Sequence, residues 1–126
     1  MDQKVCLDTD VVITILNNLN KTQELVNKIL DAEIYITTIT LFELLQRENN
    51  LDQIEVFRSR VKILDLDELA SRKSSLIFKS LKKNGRLIDI RDIFIAGTCI
   101  SHDIALLTLN KNHFERLKEF NLNLVD

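Results

Sequence analysis

The stretch Val5-Cys6-Leu7-Asp8-Thr9-Asp10-Val11-Val12-Ile13 decides the fold. A short apolar strand, Val5–Leu7, runs into the polar triplet Asp8-Thr9-Asp10, and an apolar helix start follows across Val11–Leu19. The pattern repeats outward. Asn20, with Gln23 three residues on, reads as the N-cap of a helix carrying Leu25, Val26, Ile29 and Leu30. Ile34-Tyr35-Ile36 is a second strand that passes through threonines into Leu41-Phe42-Glu43-Leu44-Leu45. Helix is expected over Leu51–Arg60, then a third strand at Lys62–Leu66. Asp67 caps the longest helix, which Gly85 ends at the C′ position. A further helix starts near Asp92, a strand lies at Ala105–Leu109, a helix at Asn112–Phe120 and a last strand at Leu122–Val125. No Asn-Gly hairpin joins adjacent strands, so the alternation predicts an α/β fold. It has three layers: a mostly parallel central sheet of about five strands with helices on both faces.

Composition bounds the reading. At 126 residues the chain is expected to be a single domain, residues 1–126, because two halves would each be too small to bury a useful core. Hydrophobic residues make up 45% of it, too many for disorder. No apolar run approaches the roughly 20 residues that span a bilayer. Met1 followed by Asp2, Gln3 and Lys4 is the wrong start for export, so a cytoplasmic protein is expected. Cys6 and Cys99 form no C-x-x-C pair and sit in apolar stretches, as buried reduced thiols do. His102 and His113 are too few and too scattered for a histidine-based metal site. A net charge of −2 argues against a general nucleic-acid coat protein, yet it allows an enzyme that meets nucleic acid through a local basic stripe.

In open parallel sheets ligands gather at the carboxyl ends of the strands, at the switch in strand order. Asp8 follows the first strand, Glu43 lies a turn into the helix after the second, Asp92 opens a helix, and Asn110 follows the fourth strand. Carboxylates gathered there repel one another and call for a cation or a proton. Hard oxygen ligands without Cys or His favour Mg²⁺ or Mn²⁺ over zinc, held by Asp8, Glu43 and Asp92. Each acid alone has a plainer explanation. Asp8 or Asp10 could cap the next helix, Thr40 and Glu43 have capping-box spacing, and Asp92 could cap the helix it opens. Against that, Ile93–Ile100 is uncharged and apolar all round, so its helix is buried and an acid at its mouth points into the molecule.

Four motifs, in order, resemble the PIN-domain family, above all toxins of the VapC type. They are Leu7-Asp8-Thr9-Asp10-Val11-Val12-Ile13, Thr40-Leu41-Phe42-Glu43-Leu44, Gly85 and Ile88 with Asp92-Ile93-Phe94-Ile95-Ala96, and Leu106-Leu107-Thr108-Leu109-Asn110 through Phe114. The resemblance runs from Val5 to Val125. It implies a metal-dependent endoribonuclease acting on RNA, products with 5′ phosphate and 3′ hydroxyl, and neutralisation by a cognate antitoxin. Asn110 stands where the fourth motif often carries an acid, with His113 before Phe114, so either a second cation is held weakly or Asp10 or Asp89 helps to hold it. The departure leaves open a catalytically weakened module that binds a partner or RNA. The oligomeric state, a homodimer included, stays open.

Asp10, Asp89, Thr108 and Asn110 are expected to support the three ligands. For RNA, Arg72, Lys79, Lys82, Lys83 and Arg86 project over about 100° of one helix and its end, either as a phosphate track or as an ordinary solvated face. Leu51, Ile54 and Phe57 recur at three-residue spacing, which suggests an apolar groove for an antitoxin segment, from which an antitoxin arginine would compete with the metal.

Overall fold

Side chains alternate along a strand, so a sheet covered on both faces needs apolar residues at every position. The computed structural model, which describes residues 3–126, shows that sheet. The reading of Met1 and Asp2 as a non-exported start lies outside the described residues. Strands β1 (Gln3–Leu7), β2 (Ala32–Thr37), β3 (Lys62–Leu64) and β4 (Ala105–Leu107) pair in parallel in the order β3-β2-β1-β4. Val5, Leu7, Ile36 and Leu107 enter one core, and Cys6, Tyr35 and Leu106 the other. The expected fifth strand is shorter than its sequence suggests. Leu122–Val125 reduces to a single parallel bridge between Leu106 and Leu124, with the Leu106 and Val125 amides donating to Asn123 and Leu106 carbonyls at 2.9 Å.

Helices α1 (Thr9–Leu16), α2 (Thr22–Lys28), α3 (Thr38–Leu45) and α4 (Leu51–Ser59) send Val11, Val12, Leu25, Leu44 and Ile54 into the first core. Helices α5 (Glu68–Lys83), α6 (Ile90–His102) and α7 (Lys111–Phe114), with a 3₁₀ helix at Glu115–Phe120, cover the other face. Asn20 does not cap α2. Lys21 holds that position without a side-chain bond, and the Thr22 hydroxyl instead donates to Thr14 O at 3.0 Å, tying α2 to α1. Ile54 is 2% exposed, so it belongs to the core of the chain itself, while Leu51 and Val56 stay exposed.

The long helix ends as its sequence predicts. Asp67 accepts from Ala70 N at 2.9 Å. Gly85 takes φ 65, which lets Arg86 N reach Leu81 O at 2.8 Å and Gly85 N reach Lys82 O at 3.1 Å, the two bonds of a Schellman cap. Ala70, Ser74, Ile77 and Leu81 line the face of α5 that meets α6. There the two backbones come very close: a Cβ on Gly97 would stand 2.0 Å from Ser74 Oγ and 3.0 Å from Ala70 O. The helices run antiparallel, with His102 at the end of α6 facing Asp67 at the start of α5. The carboxyl end of α5 and the start of α6 therefore share one edge of the molecule. No helix among the described residues is long and apolar enough to cross a membrane.

Candidate active site

The chain leaves β1 toward β2 on one side and returns through β4 on the other, so the switch in strand order falls between β1 and β4. Asp8 and Thr108 stand at the carboxyl ends of those two strands. The Thr108 hydroxyl donates to Asp8 Oδ2 at 2.8 Å, Thr9 N donates to Asp8 Oδ1 at 2.9 Å, and Asp8 N donates to Leu107 O at 2.9 Å. Asp8 does cap α1, and the same carboxylate is drawn toward β4. Thr108 in turn accepts from Asn110 N at 2.9 Å, which shapes the turn after β4.

Glu43 is not half of a capping box. The cap of α3 is Thr37, which accepts from Thr40 N at 3.1 Å. Glu43 lies later in the helix, and its Oε1 accepts from the Thr9 hydroxyl at 2.7 Å. Thr9 has one hydroxyl proton, and the carboxylate takes it, so the 3.0 Å contact between Thr9 and Thr40 is served by the Thr40 proton. Thr37, 3.4 Å from Thr40 Oγ1, extends the chain. Three threonines in line thus orient one carboxylate.

Asp92 is not a cap either. Asp89 holds that position in α6, accepting from Arg91 N at 2.9 Å. Asp92, half-buried in the first turn, lies 3.5 Å from His113 Nδ1, which contacts the Asn110 amide at 2.7 Å. Asp89 also grips the Arg91 guanidinium at 3.0 and 3.2 Å, and Arg91 lies 3.5 Å from Glu43 Oε2. Asp89 is thereby linked to Glu43 through Arg91.

Electrostatics join these pieces. Burial, then the Asp10 charge, push the Asp8 carboxyl up to about 7; the bonds from Thr108 and Thr9 oppose this, and Asp92 adds to it. Burial, with Asp89 and Glu43 behind it, raises Asp92, while His113 pulls the other way. Asp10 carries a buried Oδ1 with no hydrogen-bond partner. An unpartnered Asp10 oxygen beside a buried Asp8 carboxyl whose ionisation is opposed by burial and by the Asp10 charge marks a place short of positive charge, and an all-oxygen donor set fits a hard divalent cation. Among the described residues, no three Asp, Glu, His or Cys side chains are already arranged as a ligand set. A cation would compete with Arg91 for Glu43 and with His113 for Asp92.

Of the basic residues, Lys79, Lys82, Lys83 and Arg86 are exposed toward the end of α5 that shares an edge with the start of α6. Arg72 sits at the opposite end and is paired with Glu68 at 2.9 Å, so the structure splits the track. Sequence reasoning had assigned no role to Thr9, Arg91 or His113. Thr9 lay inside the first motif as its signal; nothing in the sequence marks Arg91. Cys6 and Cys99 are buried and free, and the neighbouring Cys99 thiol together with burial pushes Cys6 well above the ordinary thiol range.

Fold and site together define a three-layer α/β domain with a cluster of partly buried acids at its switch point. The family model described as PIN domain matches residues 5–119. Ribonuclease VapC1 of Methanocaldococcus jannaschii is 34% identical over 125 residues, covering 99% of this chain and 89% of the relative. The tRNA(fMet)-specific endonuclease VapC of Shigella flexneri is 34% identical over 122 residues, covering 90% and 92%. Among solved structures, VapBC-1 from nontypeable Haemophilus influenzae superimposes with a TM-score of 0.82 at 28% identity, covering 98% of each chain. The chain belongs to the PIN-domain family, in its VapC ribonuclease branch.

Proposed function

We propose that this chain is the toxin of a VapBC-type pair: a cytoplasmic endoribonuclease dependent on Mg²⁺ or Mn²⁺, with Asp8, Glu43 and Asp92 holding the cation. The observation that carries it is the crowding of four acids, Asp8, Asp10, Glu43 and Asp92, at the switch point, with Asp8 pushed up to about 7 and Asp10 Oδ1 unpartnered. A bound divalent cation supplies charge neutralisation at the phosphate and a more acidic water. The protein supplies orientation. Thr108 and Thr9 hold the two oxygens of Asp8, and the threonine line holds Glu43. His113 Nδ1 lies between the Asn110 amide and Asp92, and when it carries a proton it faces the Asp92 carboxylate.

RNA is the proposed substrate class because two relatives at 34% identity are named ribonuclease and tRNA(fMet)-specific endonuclease. Lys79, Lys82, Lys83 and Arg86 are proposed phosphate contacts, with Arg72 the weakest member of the set. The antitoxin is the proposed protein partner, since a relative of the same fold is described within a VapBC assembly. An apolar groove of about 530 Å³ lined by Ile15, Leu16, Val56, Phe57 and Arg60 is its proposed seat.

The test is cleavage of initiator tRNA and of a mixed RNA pool with Mn²⁺, with EDTA, and by Asp92→Asn. Cutting is expected only by the wild type with metal, and the variant should keep or raise its thermal midpoint, because asparagine removes a repelling charge. Equal cutting in EDTA, or by the variant, would overturn the assignment. One observation favours a second reading, a catalytically weakened module that binds a partner or RNA: Arg91 already faces Glu43 and Asn110 replaces an acid. Absence of Mn²⁺ binding to the wild type would select it.

A further inference from the structure

A second feature of the switch point is basic rather than acidic. Between α2 and the turn after β4 lies a cleft of about 250 Å³ lined by Lys21, Glu24, Lys28, Thr108, Asn110 and Lys111, among others. Its wall includes Thr108, whose hydroxyl donates to Asp8 at 2.8 Å, so the cleft adjoins the acidic cluster. Lys21 and Lys28 are seven residues apart on α2, two turns along one face and about 10 Å apart in rise. Lys111 comes from the opposite wall, at the start of α7.

None of these lysines forms an ion pair among the described residues, although Glu24 lies three and four positions from Lys21 and Lys28. Three ammonium groups and one carboxylate leave the cleft positive in a chain whose net charge is −2. Two polar side chains of the turn are already engaged: Thr108 bonds Asp8 and Asn110 N, and the Asn110 amide nitrogen meets His113. Recognition there falls to the lysines, which act as mobile point charges and suit a phosphodiester rather than a base edge.

We propose that this cleft is a phosphate subsite: Lys21, Lys28 and Lys111 take one backbone phosphate of an RNA strand whose neighbouring phosphodiester lies over the acidic cluster. The proposal rests on the nuclease reading and deepens it. The acids repel RNA, and the lysines next to them offset that repulsion where the strand must cross the switch point. The volume suits a single sugar-phosphate unit of a single strand, not the width of a duplex.

The test uses the full chain carrying Asp92→Asn, so that the strand stays intact, and a fluorescent single-stranded RNA oligonucleotide in EDTA. Lys21→Gln, Lys28→Gln and Lys111→Gln combined should weaken binding about ten-fold and lower the slope of log affinity against log salt by about 0.7, the release expected for one single-strand phosphate. Lys4→Gln, Lys73→Gln and Lys118→Gln combined lose the same charge away from the cleft and should leave affinity within about two-fold. Equal weakening by both sets would overturn the subsite in favour of general charge attraction. No weakening by the first set would overturn it as well, and would leave an acidic peptide as the occupant to try. Should the first set unfold, Lys111→Gln alone carries the comparison, with a loss of affinity expected and unchanged binding refuting the subsite. Wild-type cleavage with Mn²⁺ reports separately on the nuclease: cutting with unaltered binding by the first set removes the cleft alone. A wild type that neither binds nor cuts RNA would overturn both.

Discussion

Asp8→Asn should make the metal-free protein more stable, and the gain should grow with pH. Asp8 is 5% exposed, and burial with the Asp10 and Asp92 charges raises its carboxyl from 3.8 to about 7. A carboxyl raised on folding binds its proton more tightly in the native state, so stability is full below the unfolded value and is lost as pH climbs through the folded one. At 1.36 kcal/mol per pKa unit, the shift amounts to about 4 kcal/mol by alkaline pH, of which about 2.5 kcal/mol is lost between about pH 5 and 8. Asparagine has no charge to desolvate, and its side-chain oxygen can still accept from Thr9 N. Urea denaturation of wild type and Asp8→Asn in EDTA at a series of pH values measures the gap directly. It should widen by about 2–3 kcal/mol from about pH 5 to pH 8. A gap that is constant across this range would show that Asp8 is ionised at little cost, and the argument for a missing counter-charge at the switch point would fall.

Arg91→Gln should tighten Mn²⁺ binding, measured by calorimetry, because the guanidinium 3.5 Å from Glu43 Oε2 competes with a cation; unchanged affinity would exclude Glu43 as a ligand that Arg91 guards. Gly97→Ala should cost about 1–3 kcal/mol in urea denaturation, since the new methyl meets backbone as well as a side chain. Replacing Ser74 with glycine in that background should recover only part of the loss, because Ala70 O stays 3.0 Å from the methyl. Val56→Asp, at a side chain 52% exposed in the apolar groove, should weaken a cognate antitoxin at least about ten-fold while leaving RNA cleavage unchanged. Undiminished antitoxin affinity would move the seat elsewhere on the surface.

Much of the architecture is legible in the chain because it rests on local chemistry. Short continuous apolar runs made β1 and β2 readable, Asp67 and Gly85 marked both ends of α5, and the uncharged Ile93–Ile100 run announced a buried helix. Helix alternation then implied a parallel sheet and an acidic switch point. Apart from Asn20, which gives its cap position to the adjacent Lys21, the differences involve residues whose surroundings come from distant parts of the sequence. Thr40 and Glu43 have capping-box spacing, but Thr37 takes the cap, and Glu43 turns to Thr9 at the start of α1. The alternative reading of Asp92 as a cap falls because Asp89 fills that place and leaves Asp92 facing His113. Ile54, offered by its spacing as part of a groove, is drawn into the core, because spacing shows which residues share a face and not what the face meets. The last strand fades to one bridge, since a strand at a sheet edge has only one neighbour to pair with. Arg91 on Glu43 and the lysines beside Thr108 carry no signature at all. Their positions come from the crossing of separate elements at the switch point, where long-range packing decides which charges become neighbours.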